Sequence, residues 1–151
     1  MKLEQLIEEY RDVLLGKMLG YGCYRVVYEC ALNKDYVVKI ENANGGFSNI
    51  KEWKLWEEVE YTPFKKYFAP CIFISDNGKV LIQKKVRLVL QEELPKEVPY
   101  FFTDVKPENF GFIGKQFVCC DYGSIPFSHK WSEKRKRKPY WDRYYTNVAI
   151  R

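Results

Sequence analysis

Three oxygen-bearing side chains stand around one short stretch of the chain and could together hold a hard cation and engage a hydroxyl group. Asp104 and Asn109 precede a predicted β-hairpin, and Asp121 directly follows it. Carboxylate and amide oxygens suit Mg²⁺, and a carboxylate can also accept the proton of an attacking hydroxyl. Each residue alone would be an ordinary turn residue. Their grouping around one hairpin indicates a candidate metal and nucleophile site.

A lysine and a glutamate in apolar surroundings form a second candidate group. Lys39 lies in a short apolar strand, where it either faces solvent or turns toward a negative partner. On a helical wheel, Glu52 shares its face with Leu55, Trp56 and Val59 to within roughly 60°. A buried carboxylate needs a cationic partner. The alternative is that Glu52 lies at the margin of this apolar helix face and reaches solvent. Lys39 is the nearest candidate partner, and the sequence predicts a Lys39–Glu52 pair.

Two glycines could complete a phosphate site. Gly20 and Gly22 flank Tyr21 between two predicted strands. Glycine lacks a Cβ, so the backbone at such a turn can approach a phosphate closely. Glycine pairs are also common in hairpins, so this pattern alone does not indicate a phosphate site. It gains weight because it precedes the lysine, the glutamate and the three oxygen donors along the chain.

The elements that must position these residues alternate along the chain. An amphipathic helix is followed by strands, a second helix, a strong hairpin signal and a final hairpin. This order predicts an α+β domain. The predicted elements are helices Leu3–Leu14 and Ser48 or Asn49 to about Tyr61, strands Cys23–Cys30 and Tyr36–Ile40, and hairpins Cys71–Ser75 with Lys79–Val86 and Phe110–Ile113 with Phe117–Cys120.

Taken in order, these motifs resemble those of protein kinases. The resemblance covers about residues 17 to 125. It implies a kinase-like fold, with an N-lobe of antiparallel sheet plus an αC-type helix over about 1–86 and a severely reduced C-lobe over about 87–129. The motifs are Gly20-Tyr21-Gly22-Cys23-Tyr24-Arg25-Val26-Val27, Val37-Val38-Lys39-Ile40, Asp104-Val105-Lys106-Pro107-Glu108-Asn109 and Asp121-Tyr122-Gly123.

The resemblance implies ATP and Mg²⁺ as ligands and assigns each residue a role. Gly20 and Gly22 would cover the phosphates, and Lys39, held by Glu52, would contact the α- and β-phosphates. Asn109 and Asp121 would ligate Mg²⁺. Asp104 would receive the substrate hydroxyl proton, and Lys106 would neutralise the transferring phosphate. A lysine that follows the catalytic aspartate, as Lys106 follows Asp104, is more similar to the motif of serine/threonine kinases than to that of tyrosine kinases.

Two motif positions depart from the kinase pattern. Arg25 occupies the third glycine position, where a long cation would either aid nucleotide phosphate binding or crowd it. Phe102-Thr103 replaces the usual His-Arg before the catalytic aspartate, so control by activation-loop phosphorylation is not expected.

Two further departures concern length. Only 17 residues, Val86 to Phe102, precede the catalytic loop where kinases place two helices, and Leu88–Leu94 could form at most a short helix. Only 28 residues follow Gly123, without an Ala-Pro-Glu motif. Much of the peptide-docking platform is therefore expected to be absent.

The basic charge of the chain is concentrated at its end. Residues 130–151 carry eight Lys/Arg and two Asp/Glu, whereas the net charge of the whole chain is +5. Trp141, Tyr144, Tyr145 and Val148 have helical spacing, which predicts a docked helical tail over 130–151. The run Lys134–Lys138 is either a solvated segment or a contact for nucleic acid or an acidic partner.

Composition excludes several other classes of protein. The five cysteines form no C-x-x-C pair, and His129 is the single histidine. Secreted disulfide scaffolds, zinc ribbons and His-based nucleophile relays are therefore disfavoured. No apolar run reaches membrane-spanning length and the first residues lack a signal peptide, so we expect a cytoplasmic protein without a membrane partner.

The sequence supports three hypotheses of function. The first is an ATP-dependent phosphotransferase acting on Ser/Thr hydroxyls of a protein. The second is a catalytically weak or inactive pseudokinase that binds a partner protein, and the third is nucleic-acid binding through the basic tail. The Asn49-x-x-Glu52 helix start resembles small kinase-like proteins of bacteria and their phages, which would place the chain in a host cytoplasm.

Overall fold

The chain folds into two compact units. The computed structural model describes residues 2–42 and 45–144. The first unit comprises the chain up to Lys54 together with Pro70–Lys85, and the second comprises Leu55–Ala69 and the chain from Val86 onward. Antiparallel strands and few helices make up the described chain, as the predicted α+β class requires.

The first unit is built on a five-stranded antiparallel sheet with the order β1-β2-β3-β5-β4. Its central strand is the apolar run in which Val37 and Val38 are buried on opposite faces. Both predicted helices are present. The elements are α1 Leu3–Leu14, β1 Leu15–Tyr21, β2 Arg25–Cys30, β3 Tyr36–Glu41, α2 Ser48–Val59, β4 Cys71–Ile74 and β5 Val80–Lys84. The part of α2 up to Lys54 belongs to the first unit, and the rest belongs to the second.

The register of this sheet decides which side chains share a face. Lys39 on β3 lies opposite Val27 on β2 and Leu81 on β5. Side chains alternate between the faces of a sheet, so residues two positions along a strand return to the same face. Arg25 on β2 and Gln83 on β5 therefore lie on the same face as Lys39.

The first helix contacts the sheet through Arg11. Its guanidinium donates a hydrogen bond to the Tyr28 hydroxyl at 3.1 Å. Tyr28 follows Val27 on β2 and so lies on the face opposite to Lys39. The contact fixes α1 against the sheet without occupying the face that carries the lysine.

The second unit has short strands and single helical turns. One sheet has the order β6-β8-β9 and a second sheet pairs β10 with β7. The strands are β6 Arg87–Leu88, β7 Val98–Pro99, β8 Phe110–Ile113, β9 Gln116–Cys119 and β10 Lys136–Arg137, and the 3-10 helices are Pro63–Tyr67, Gln91–Glu93, Pro107–Asn109 and Trp141–Tyr144.

An aromatic cluster forms the core of the second unit. Phe68, Phe102 and Tyr122 are at most 1% exposed. The Phe68 ring lies 5.7 Å from the Phe102 ring and 5.0 Å from the Tyr122 ring, both edge-on, which is a favourable arrangement for aromatic pairs. The Tyr122 hydroxyl donates to the Ala69 carbonyl at 2.7 Å, so its polar end is satisfied inside the core.

Two predicted elements take a different form. The short helix considered at Leu88–Leu94 is a 3-10 turn at Gln91–Glu93, because Arg87–Leu88 pairs with β8 instead. Among the tail residues that the structure describes, Lys136–Arg137 is a strand and Trp141–Tyr144 is a 3-10 turn.

The rest of the tail prediction lies outside the described residues, since these end at Tyr144 and leave out Tyr145 and Val148. Within the described part of the chain, no helix is both long and apolar enough to cross a membrane.

Candidate functional site

The predicted contact between Lys39 and Glu52 is present in the first unit. The Lys39 ammonium donates to Glu52 Oε1 at 2.7 Å. Lys39 is 4% exposed and Glu52 is fully buried. Lysine on the central strand therefore turns toward the helix, as the apolar helical stripe around Glu52 predicted.

Arg25 is a second cation on the same carboxylate. Its Nη1 atom lies 2.5 Å from Glu52 Oε2 and donates to Asn49 Oδ1 at 3.1 Å. Arg25 is 8% exposed, so its charge is inside the unit rather than extended over its surface. A role for Arg25 in binding nucleotide phosphate stays a prediction, whereas its contacts are those of a residue that positions Glu52.

The two cations control the ionisation of Glu52. Burial alone would raise the pKa of this carboxyl group, because the charged form loses its hydration. The charges of Lys39 and Arg25, and the hydrogen bonds from both, outweigh burial and hold the pKa of Glu52 below its usual value. The carboxylate is therefore ionised at neutral pH and keeps Lys39 in place.

Asn49 joins three parts of the first unit at the start of α2. It is fully buried, and its Nδ2 lies 3.0 Å from the Lys39 carbonyl, 3.1 Å from that of Gly78 and 3.0 Å from that of Lys79. Its Oδ1 accepts from Arg25, so the side chain is not used as a helix cap. Asn49 instead fixes α2, and with it Glu52, against β3 and the β4–β5 hairpin.

Gln83 belongs to this group and was missed by the sequence argument. Its Nε2 donates to Glu52 Oε1 at 2.9 Å from a fully buried position. On β5, Leu81 and Gln83 are the buried residues of an alternating pattern. A glutamine at a core-facing strand position is the signal that could have identified it, since buried amides need a polar partner.

The two glycines of the turn have open space beside them. A Cβ added to Gly20 or Gly22 would meet no described atom within 4 Å, whereas at Gly111 it would lie 2.4 Å from Val86 Cγ2. Packing therefore explains glycine at Gly111 but not at the turn. Gly22 N–H also donates to the Arg25 carbonyl at 2.9 Å, which closes the turn. The backbone there is accessible to a ligand.

In the second unit, Asn109 fixes the loop that carries Asp104. Asn109 is 3% exposed, and its Nδ2 donates to the Asp104 carbonyl at 2.9 Å and to Asp104 Oδ2 at 3.0 Å. Asp104 itself is exposed. The loop thus presents one carboxylate to solvent while its neighbour anchors it from the inside.

Lys106 lies beside this carboxylate. Its ammonium is 3.1 Å from Glu108 Oε1 and 3.6 Å from Asp104 Oδ2. The hydrogen bond to Glu108, with the charge of Asp104, raises the pKa of Lys106. The lysine therefore remains a cation at neutral pH, as a group that neutralises phosphate must.

The strand after the loop brings Asp121 next to Asn109 along the backbone. Cys120 N–H donates to the Asn109 carbonyl at 2.8 Å, and Asp121 follows directly and is exposed. Since Asn109 uses Nδ2 toward Asp104, its Oδ1 is the atom left to act as a ligand. A carboxylate and an amide oxygen fit Mg²⁺, which commonly takes its other ligands from phosphates and water.

Within the described residues, no cluster of three or more His, Cys, Asp or Glu side chains is arranged to hold a metal ion. The two predicted donors, Asn109 and Asp121, would therefore form an incomplete shell by themselves.

Phe102 precedes the Asp104 loop and supports it by packing. Its ring contacts Phe110 edge-on at 5.1 Å, and the residue is 1% exposed. Its carbonyl accepts a hydrogen bond from Arg137 of the basic run. Sequence reasoning placed Arg137 in the basic run but did not predict this contact, because nothing local indicates that β10 pairs with β7.

Comparisons with protein-family models and with curated proteins found no match for this chain. The kinase resemblance consequently depends on the motifs and on the contacts described above.

The buried cluster yields a stability prediction. Glu52→Gln leaves two buried cations without a counter-charge and should lower the free energy of unfolding by about 3–5 kcal/mol. Glu29→Gln is the matched control, because Glu29 pairs with Lys85 at 3.1 Å with both side chains more than a third exposed, and it should cost less than about 1 kcal/mol. Urea unfolding followed by far-UV circular dichroism measures both. Equal losses would contradict the account.

The lowered pKa of Glu52 predicts an acid-dependent stability. Its contribution is complete above the ordinary carboxyl value of 4.5 and is lost as the pH falls through the lower folded value. The difference in unfolding free energy between the wild type and Glu52→Gln should therefore be constant above about pH 4.5 and shrink as the pH falls below that value. Urea titrations on both sides of this value measure it, and a difference that stays constant below it would show that the charge of Glu52 is not the cause.

Proposed function

We propose that this chain is a minimal kinase-like protein that binds ATP with Mg²⁺ and transfers the γ-phosphate to Ser/Thr hydroxyls of a protein. The observation that carries the proposal is the buried Lys39–Glu52 contact at 2.7 Å, on the strand and helix where the kinase resemblance requires it. A lysine held by a carboxylate is oriented toward phosphate at a small entropic cost.

The first unit supports nucleotide binding in two further ways. An antiparallel sheet with one helix between its third and fourth strands is the arrangement expected of a kinase N-lobe. Gly20 and Gly22 leave open space at the turn, where the absence of a Cβ lets the backbone approach a phosphate closely. Glu52 and Asn49 would act as positioning residues, since they hold Lys39 and α2 rather than the nucleotide.

The second unit would supply the groups for transfer. Asn109 and Asp121 would hold Mg²⁺, which would neutralise charge on the phosphates. Asp104 would orient the substrate hydroxyl and take its proton, while the hydroxyl oxygen forms the new bond to phosphorus and the bond to ADP breaks. Lys106 would stabilise the charge on the transferring group. Asn109 contacts Asp104, so one residue would link metal binding to hydroxyl activation.

A second candidate is a protein that keeps the nucleotide site but acts only by binding a partner protein. It is favoured by the composition of the second unit, in which the described residues beyond α2 form short strands and 3-10 turns instead of an α-helical platform. The two candidates differ in phosphate transfer and not in nucleotide binding.

Nucleotide binding should depend on Lys39. Mg·ATP should raise the melting temperature of the wild type by linkage, and Lys39→Met should reduce the affinity about tenfold or more while Arg25 still neutralises Glu52. Lys85→Met is the matched control, because it removes a lysine directly after β5 whose partner is the half-buried Glu29. Thermal melts over a range of Mg·ATP concentrations measure the effect. Wild-type affinity in Lys39→Met would remove the proposed site.

Phosphate transfer should depend on Asp104. Asp104→Asn keeps an oxygen for the Asn109 hydrogen bond but loses the proton acceptor, so transfer should fall about 10²- to 10⁴-fold with nucleotide affinity within about threefold of the wild type. Asp76→Asn, in an exposed turn, is the control with the same change of charge. Radiolabel transfer from ATP to the chain itself and to generic proteins measures it. Binding without transfer in the wild type would favour the partner-binding candidate.

A further inference from the structure

A cavity in the second unit collects positive charge between aromatic walls. Its volume is about 380 Å³, and it is lined by the rings of Tyr100, Phe127 and Trp131. Lys130, Arg135 and Arg137 also line it, and none of its described lining residues is Asp or Glu. Three cations without a lining acid favour an anionic occupant.

The basic run divides between this cavity and solvent. Arg135 and Arg137 line the cavity, whereas Lys134, Lys136 and Lys138 are exposed and do not line it. On the two-residue strand β10, successive side chains point to opposite sides, which places Arg137 at the cavity and Lys136 away from it. The run is therefore not a uniformly solvated segment.

Two contacts hold the arginines of the cavity in place. The Arg135 guanidinium stacks over the Tyr100 ring at 4.3 Å. Arg137 donates to the Phe102 carbonyl, but its Nε–H is buried and has no acceptor among the described residues. An anion in the cavity would make charge-assisted hydrogen bonds with the guanidinium groups that line it.

We infer that this cavity binds a phosphate monoester carried by a side chain of a protein segment. A phosphate monoester is close to a dianion at neutral pH and has three acceptor oxygens, which matches the three cations that line the cavity. The organic part of the ligand would pack against the aromatic walls. The inference goes beyond the proposed function and stands without it, because no residue of the nucleotide site takes part.

The shape of the site favours a protein segment over nucleic acid. Single-stranded nucleic acid binds along an extended basic groove with successive bases stacked, whereas these cations surround one cavity. Thr103 also lines the cavity and directly precedes Asp104. If the proposed function holds as well, a phosphorylated segment bound there would present its neighbouring hydroxyls to Asp104.

The test measures binding of a glycine-flanked phosphotyrosine peptide, without ATP or Mg²⁺, by calorimetry and by Trp fluorescence. We expect saturable binding of this peptide and none of its unphosphorylated form at the same concentration. Lys130→Gln with Arg135→Gln should weaken binding about tenfold or more, because each removes a charge-assisted contact. Both residues are exposed, so the variant should fold, and Lys130→Gln alone serves if it does not.

The matched control is Lys134→Gln with Lys136→Gln, which removes the same amount of charge from residues of the basic run that do not line the cavity. It should weaken peptide binding less than about threefold, since exposed charges are screened by salt. Equal loss in both double variants would reduce the effect to bulk charge and overturn the inference. So would absence of phosphopeptide binding, or tighter binding of single-stranded oligonucleotide or of free phenyl phosphate than of the peptide. Lys39→Met should bind the peptide as the wild type does, which separates this test from that of the nucleotide site.

Discussion

The buried carboxylate of Glu52 is the constraint on which the first unit depends. A charge without hydration is tolerable only with close counter-charges, and here Lys39 and Arg25 supply them at 2.7 and 2.5 Å. The two cations come from neighbouring strands and the carboxylate from α2, so the contacts exist only in one register of the sheet. A slip of either strand by one residue would turn its cation to the opposite face of the sheet. The cluster that would orient a nucleotide phosphate thus also specifies the fold.

The second unit consists of short strands and single helical turns. Aromatic rings around Phe68 and Phe102 form its core, and Asn109 fastens the Asp104 loop to the following hairpin. Segments distant in sequence complete it, since Trp141 donates to the Pro95 carbonyl at 2.8 Å and Arg137 to that of Phe102. The basic run therefore contributes to the structure of this unit as well as to its charge.

The sequence predicted the parts that local pattern determines. The Lys39–Glu52 contact followed from an acid within an apolar helical stripe, and both hairpins from their turn residues. The partners of Arg25 could not be predicted, because they depend on the register between neighbouring strands. No local sequence pattern determines that register. The strand at Arg137 was missed for the same reason, since pairing with a segment almost forty residues earlier is non-local. At Leu88–Leu94, pairing with β8 prevailed over helical propensity.

Hydrogen exchange with mass spectrometry, with and without saturating Mg·ATP, tests the central claim most directly because it locates binding along the chain. The account predicts slower amide exchange in residues 20–25, at the glycine turn, and in residues 104–121, across the Asp104 loop and the hairpin that ends at Asp121. It also predicts that the effect requires Mg²⁺ in the second of these segments. Unchanged exchange in both segments, or protection confined to other parts of the chain, would contradict it.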